Sequence, residues 1–211
     1  MTSDHAKQIK QVGFVSLVQD QPHGSHLKSS VLDSVFWQIP LIGWRADDIV
    51  AEVMNRRLKQ KGFTVSRPML TRALEQLKAR DWRPPQSVEL AEAIYALGEA
   101  QQLDMVVVVQ GQVTRDFVTD TNQNIRGYGI QKAFESEAMA YSTIFVEAFD
   151  IKRRFSVARA AGQRSEPLAT HFSVPAGEVQ QLAAAAQQVL RTQLEAMVAI
   201  TVGVAAQEAG F

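Results

Sequence analysis

Few residues in this sequence have the types and spacing that catalysis or metal binding requires. His23 and His26 are three residues apart and could bind a metal, with Asp20 or Asp33 as a further ligand. The surrounding residues 19–30 are rich in Gln, Ser, His, Pro and Gly, which predicts a surface loop. The two histidines are therefore only a weak metal candidate, and no cofactor is expected.

Two carboxylate pairs are candidates for acid–base chemistry. Asp47 and Asp48 directly precede an apolar pattern of helical period, so N-terminal capping of that helix explains them better. Asp116 and Asp120 lie in a polar stretch without an apolar neighbour that would raise the pKa of either carboxyl. Neither pair predicts an active site.

The composition excludes several classes of function. The chain of 211 residues has no cysteine, which rules out disulfides, zinc–thiolate sites and cysteine nucleophiles. Lys and Arg together number 22, and Asp and Glu also number 22. Without net charge the chain produces no long-range field that would attract nucleic acid, so no nucleic-acid partner is expected.

Aromatic and basic residues supply the candidate partner-binding groups. Phe36, Trp37 and Trp44 lie in an apolar stretch interrupted by Pro and Gly. On the surface such a stretch would bind a partner, because Trp and bulky aliphatic residues anchor interfaces; the alternative is that it completes the core. A second candidate is the basic turn, formed by Lys152, Arg153 and Arg154. A solvated turn is the simpler interpretation of these three charges.

The hydrophobic pattern predicts the fold class. Residues 12–18 and 105–109 are almost continuously apolar, as is typical of strands that are covered on both faces. In the first half of the chain the pattern predicts a short strand within 31–44, a helix from Asp47 to Gly62, a strand at 63–66, and helices around 70–77 and after Ser87. In the second half it predicts a loop or ragged hairpin at 114–133, a strand at 138–150 with a partner at 155–160, a polar stretch at 161–170, and a long helix capped by Ser173. This order indicates an α/β (α+β) fold with a single mixed parallel and antiparallel sheet, helices packed on it and a long C-terminal helix.

The expected domain organisation is a flexible leader at residues 1–9 and a single α/β domain at 10–211. An apolar run near the end, residues 196–206, is shorter than the roughly 20 residues of a membrane-spanning helix. It is predicted to belong to a buried helix, with Val189, Leu190, Leu194 and Met197 on the same apolar stripe.

One motif carries a resemblance to a known group. A predicted helix leads into Asp104-Met-Val-Val-Val-Val-Gln-Gly-Gln-Val113, and a long strand, a hairpin and a closing helix follow. This layout resembles the α/β module of the curli-secretion lipoprotein, of the lipoprotein activators of peptidoglycan synthases and of the N-terminal domain of the Tol-system β-propeller protein. It covers residues 11–194. The segment Phe14-Val-Ser-Leu17 replaces the usual Val-x-Pro-Phe, which indicates a divergent member.

The resemblance implies a non-enzymatic binding or assembly module of the bacterial cell envelope, periplasmic or associated with the outer membrane. Its expected partners are proteins, including further copies of itself. A membrane is expected only through an anchor that this sequence does not contain. The alternative that stays open is a small-ligand- or metal-binding protein, or an enzyme, that uses the loop with His23 and His26.

Overall fold

The computed structural model describes residues 9–28, 33–41, 43–80, 87–134, 136–169 and 184–211. The strands within these residues are β1 Gln11–Leu17, β2 His23–Leu27, β3 Val35–Gln38, β4 Thr64–Ser66, β5 Met105–Gly111, β6 Val113–Arg115, β7 Asn124–Arg126, β8 Tyr128–Ala133, β9 Met139–Asp150 and β10 Phe155–Pro167. The helices are α1 Ala46–Gln60, α2 Arg72–Ala79, α3 Val88–Ala100 and α4 Ala184–Glu208. The predicted fold class, a mixed sheet with packed helices and a long C-terminal helix, is confirmed.

Eight of the strands form one sheet, which is built around β9. One edge of β9 pairs with β10 along its whole length. The other edge pairs with β5 over residues 144–150 and with β8 over residues 139–142, so β5 and β8 lie end to end. β1 and β2 are also arranged end to end, because β1 pairs parallel with β5 and β2 pairs parallel with β8. β4 and β3 are the outermost strands of that side.

Between β5 and β8 the chain leaves the sheet as the β6–β7 hairpin. Thr143 of β9 joins the two ends of this excursion: its carbonyl oxygen accepts from the Gln112 N–H at 3.0 Å, and its own N–H donates to the Gly127 carbonyl oxygen at 2.6 Å. Gly127 has a φ of +59°, a conformation that favours glycine. The hairpin therefore starts and ends at one point of the sheet.

Helices cover both faces of the β1–β5–β9 half of the sheet. Alternate residues of the buried strands divide between two cores: Val107 of β5 packs on the side of α1 and α4, and Val108 packs on the side of α2 and α3. All the apolar residues of β5 are fully buried, which confirms the prediction from its continuous apolar run.

Two segments predicted to be irregular are strands. The stretch 114–133, predicted as a loop or ragged hairpin, contains the β6–β7 hairpin and then β8, an interior strand between β2 and β9. Residues 161–167, predicted as part of a polar stretch, continue β10 up to the pairing of Pro167 with Met139. Neither segment alternates apolar and polar residues, so only the pairing partners reveal them as strands.

The long helix α4 has a mixed environment. Its apolar run at 196–206, predicted to be buried, is buried only on one side: Met197, Val198 and Val202 lie in the core, whereas Ile200 and Val204 are exposed. Val189 was predicted on the buried stripe but is 42% exposed, because α4 turns that side away from the sheet. Of the described helices, α4 alone is long and apolar enough to cross a membrane, and half of that apolar segment is buried against the protein. Residues 1–8 of the expected leader at 1–9 and the predicted cap Ser173 lie outside the described residues, and Ile9 is buried in the core.

Candidate partner-binding cleft

A cleft of about 330 Å³ lies between the β2–β3 pair and the β6–β7 hairpin. Phe36, Ile125 and Tyr141 give it aromatic and aliphatic walls, and His23 and Ser25 add polar groups. Apolar walls with a few polar groups are typical of sites that bind an apolar side chain or a small ligand. This cleft is the candidate site.

Phe36 lies at the mouth of the cleft and is 59% exposed. It belongs to β3 and stands opposite Ser25 of β2 in the antiparallel register. Within the described residues β3 pairs only with β2, so β3 is an edge strand of the sheet. An exposed aromatic ring beside an edge strand can anchor a partner segment that also bonds to the strand's backbone.

Trp37 lies on the other face of β3, over Gly24 of β2. A Cβ added to Gly24 would overlap the indole ring, so the glycine makes room for this tryptophan. The ring is half-buried and packs against the core on the α4 side. Its Nε1 is buried and has no hydrogen-bond partner among the described residues. Trp37 therefore contributes to both the cleft wall and the core.

Trp44 does not belong to the surface, which corrects the expectation that Phe36, Trp37 and Trp44 are exposed together. Trp44 is 6% exposed, and its indole N–H donates to the Tyr128 hydroxyl at 2.9 Å. The two rings pack with their centroids 5.4 Å apart. The segment after β3 folds back over the sheet and carries Trp44 into the core, which is the alternative that the sequence left open.

A buried carboxylate holds the hairpin against the sheet. Asp116, which is 2% exposed, follows β6 and accepts backbone N–H bonds from Val118 at 2.8 Å and from Thr119 at 3.0 Å. The hydroxyls of Thr119 and Thr121 also donate to it, at 2.5 and 2.6 Å. The side chain of Gln131, on β8, donates to the same carboxylate at 2.8 Å. These bonds attach the hairpin, which forms one wall of the cleft, to the interior strand β8.

This environment determines the protonation state of Asp116. Burial alone would raise the pKa of the carboxyl, but the hydrogen bonds from Thr119, Thr121 and Val118 outweigh burial and lower the pKa to about 2. Asp120, its partner in the sequence interpretation, is exposed and has a φ of +52°. The two carboxylates do not form an acid–base pair, as the sequence also indicated.

The basic turn is far from the cleft. Arg154 forms ion pairs with Glu92 at 2.5 Å and with Glu99 at 2.6 Å. Its guanidinium also lies over the Tyr95 ring, 4.6 Å from the centroid. Lys152 and Arg153 are exposed at the end of β9 opposite to Tyr141, about 30 Å away at the usual rise per strand residue. The fold does not bring the basic and aromatic candidates together.

His23 and His26 lie on β2 and not in a loop, which corrects the sequence expectation. Three residues apart on a strand, their side chains point to opposite faces of the sheet and cannot share a metal. The Nε2 of His26 lies 3.2 Å from the carbonyl oxygen of Phe134. Within the described ranges no group of three or more His, Asp or Glu side chains is arranged to hold a metal.

A second, more polar cleft, of about 480 Å³, lies between the β1–β2 connection and α2. Its Lys78 was not singled out from the sequence, because its two partners are distant along the chain. The ammonium bonds to Asp20 and Asp47, each at 2.7 Å. Burial alone would lower the pKa of Lys78, but the bonds to these carboxylates raise it, so the amine stays protonated and is no nucleophile. Asp47 is thus an ion-pair partner, and no side chain caps α1.

No family model and no curated protein matches this sequence. Among solved structures, the chain is similar to a DUF330-family protein of Xanthomonas campestris, with 10% identity and a TM-score of 0.46 over 93% of this chain and 82% of that one. It is also similar to lipoprotein GNA1162 of Neisseria meningitidis, with 10% identity and a TM-score of 0.38 over 86% and 99% of the two chains.

A further similar structure is the C-terminal domain of LpoB from Salmonella enterica, with 8% identity and a TM-score of 0.33 over 75% of this chain and 84% of that one. All three structures come from bacteria, and the Neisseria protein is described as a lipoprotein. At these identities and TM-scores the similarity carries no argument about activity, and the group indicated by the sequence motif stays a hypothesis.

Proposed function

We propose that this chain is a non-enzymatic binding module of the bacterial cell envelope that binds a protein partner at the cleft beside β3. The envelope assignment rests on the layout and on the Asp104–Val113 motif of the sequence. The binding assignment rests on Phe36, whose ring is 59% exposed at the mouth of an apolar cleft and on an edge strand.

The residues that line the cleft indicate what kind of partner segment would bind there. An apolar side chain of the partner fits between Phe36 and Ile125, and the edge of β3 that pairs with no described strand offers backbone groups to an extended chain. The partner segment is therefore extended, with an aromatic or aliphatic residue at the cleft. Lys152 and Arg153 are a separate candidate contact, which only a partner spanning about 30 Å would reach together with Phe36.

A photocrosslinking amino acid at position 36 tests the binding site in the native host. The matched control carries the same amino acid in place of Met69, which is 89% exposed and lies away from the cleft. We expect position 36 to give a crosslinked envelope protein that position 69 does not give. Identical products from both positions, or none from position 36, would contradict the proposal.

The purified partner then allows a quantitative test. Phe36→Ser is expected to weaken its binding about tenfold or more, as truncation of an interface anchor does, while Met69→Ser leaves the affinity unchanged. The unfolding midpoint of Phe36→Ser should stay near that of the unmodified protein, because the ring is largely exposed.

Cell fractionation with intact-mass measurement tests the compartment independently. A product in the envelope fraction supports the assignment. An unprocessed chain of 23.4 kDa found in the cytoplasm would overturn the envelope assignment and leave the cleft to a cytoplasmic partner.

A further inference from the structure

β10 is a long edge strand. It extends over 13 residues, and within the described residues it pairs only with β9. Edge strands are usually protected from further pairing by charges, proline or bulges. In β10 the bulge lies at Ser156–Ala158 and the proline is the last residue, which leaves the middle, Ala158-Arg-Ala-Ala-Gly-Gln163, with mostly small side chains. No described strand pairs with the outer edge of this middle segment, so its backbone is available to another strand.

The flank of α4 above this edge is apolar and exposed. Gln193 marks that flank, because its side-chain amide donates to Glu166 at 3.0 Å and to the Pro167 carbonyl oxygen at 2.9 Å, at the end of β10. Ile200 and Val204, each 44% exposed, lie on the same side of the helix at spacings of seven and eleven residues from Gln193. The opposite flank of α4 packs against α1. The exposed apolar residues therefore overhang the free edge of β10.

From this combination we infer that two copies of the chain form a symmetric dimer, in which β10 pairs antiparallel with β10 of the second copy and the two α4 helices pack side by side. This inference goes beyond the proposed function and uses a different surface. A two-fold axis perpendicular to the sheet would make the interface self-complementary.

The spacing of the elements supports a second copy as the occupant. α4 packs on both β9 and β10, so its axis runs above the space between these strands. Neighbouring strands are about 4.8 Å apart, which places that axis about 5 Å from the two-fold axis. The two α4 helices would then lie about 10 Å apart, the distance at which packed helices meet. The same two-fold axis would then produce both a continuous sheet and a helix pair.

The contacts between α4 and β10 locate the two-fold axis near Gly162. An added Cβ at Gly162 would overlap the Thr201 carbonyl oxygen and would come within 3.2 Å of the Ala205 nitrogen. Ile200 and Val204 are next to these residues along the helix, so the two copies would meet through these side chains directly above the axis. A stable dimer interface requires apolar residues at its centre, as Ile200 and Val204 would provide.

The charges of β10 are compatible with this register. Centred on Gly162, antiparallel pairing places Arg159 opposite Ser165 and Arg164 opposite Ala160 of the second copy. Glu166 stands opposite Ala158. In this register no two like charges face each other directly across the strand pair.

Sedimentation equilibrium of the full chain, with charged variants of the helix flank, tests the dimer. We expect the unmodified chain to be dimeric, and Ile200→Glu and Val204→Glu to be monomeric with an unchanged circular dichroism spectrum. The matched control is Met69→Glu, which exchanges an exposed apolar residue for an acid at a remote site and should stay dimeric. A monomeric unmodified chain, or a dimer unaffected by both flank variants, would overturn the inference.

Cysteine crosslinking tests the register, and the chain has no cysteine of its own to interfere. Ala161→Cys and Gln163→Cys stand opposite each other in the register centred on Gly162. Under mild oxidation we expect a disulfide-linked dimer from a mixture of the two variants, and much less from either variant alone. Phe155→Cys, at the far end of β10, should give none. Absence of crosslinks from the mixture and from both single variants would contradict strand pairing.

A lipid surface is the competing occupant of the apolar flank. Vesicles of phosphatidylethanolamine and phosphatidylglycerol test it by co-sedimentation. A monomeric chain that binds these vesicles and loses binding in Ile200→Glu would replace the dimer with a membrane contact. The outcome is independent of the proposed cleft, because Phe36→Ser should stay dimeric and Ile200→Glu should keep the partner crosslink at position 36.

Discussion

The indole N–H of Trp44 donates to the hydroxyl of Tyr128 at 2.9 Å, and that hydroxyl donates to the backbone carbonyl oxygen of Gln19 at 2.5 Å. This chain of bonds joins the segment before α1, the first residue of β8 and the connection from β1 to β2. Tyr128 is fully buried, and burial raises the pKa of its phenol. These bonds lie where β5 meets β8 and β1 meets β2 in the sheet, and they connect the chain segments at that junction.

Tyr128→Phe should lower the free energy of unfolding by about 2–4 kcal/mol, because it removes the partner of the buried Trp44 N–H and of the partly buried Gln19 carbonyl. Chemical denaturation measures this change. The matched control is Tyr141→Phe, which removes one longer bond, of 3.3 Å to the Arg126 carbonyl oxygen, and should cost less. Equal losses for the two variants would contradict the role of the Tyr128 hydroxyl.

Asp116→Asn should destabilise the protein by about 2 kcal/mol at pH 7. The folded-state pKa of Asp116, about 2, lies below the ordinary value of about 3.9, so the ionised carboxylate stabilises the fold above pH 4. That contribution is lost as the pH falls from about 4 to about 2. Denaturation curves across this range should show the difference between Asp116→Asn and the unmodified protein shrinking. Asp120→Asn, at an exposed position of the same loop, is expected to change neither stability nor its pH dependence.

Glu147→Gln should stabilise the protein at high pH. Glu147 is 1% exposed on β9, and burial raises its pKa despite the bond from Ser156 and the charge of Arg159. Its Oε2 has no hydrogen-bond partner among the described residues. With a raised folded-state pKa, the carboxyl's contribution is fully present below its unfolded pKa and is lost as the pH rises through the folded value.

The gain from Glu147→Gln should therefore grow with pH, to about 1 kcal/mol at pH 8 and close to none at pH 4. Thermal unfolding at both pH values measures it. Glu137→Gln at an exposed position supplies the control and should show no such trend. A loss of stability at pH 8 would show that the charged carboxylate stabilises the sheet.

Gly24→Ala should cost about 1–3 kcal/mol, because its methyl group would enter the space of the Trp37 ring. In a Trp37→Ala background the same substitution should hardly change the free energy of unfolding, because the ring that the methyl group would overlap is absent. A double-mutant cycle measures this coupling. Equal costs in both backgrounds would mean that Gly24 is needed for the backbone and not for the tryptophan.

Much of the fold was predictable where local pattern and burial agree. The apolar runs of β1 and β5 predicted strands covered on both faces, and both are completely enclosed. Ser87 was predicted as a cap, and its hydroxyl accepts the Leu90 N–H at 3.2 Å. These features depend on residues close together in the chain, so the sequence contains the whole signal.

β8 and the candidate cleft were not predictable in this way. Gln131 is fully buried in β8, although glutamine is usually exposed, because Asp116 on the hairpin accepts its amide bond. The cleft exists because the hairpin returns beside β3, which is 75 or more residues away along the chain. Phe36 and Trp44 were singled out together as aromatic candidates, and nothing local separated the exposed ring of Phe36 from the buried ring of Trp44.

The sequence by itself determined the fold class, the buried strands and most helix positions, because hydrophobic period and capping act over a few residues. The tertiary structure decided which polar segments become strands, which tryptophan is core, and which apolar residues of α4 stay exposed. Those outcomes depend on partners that are distant along the chain. A neighbouring strand, the Asp116 carboxylate or the Tyr128 ring lowers the free-energy cost of burying a group only after folding has placed that partner beside it.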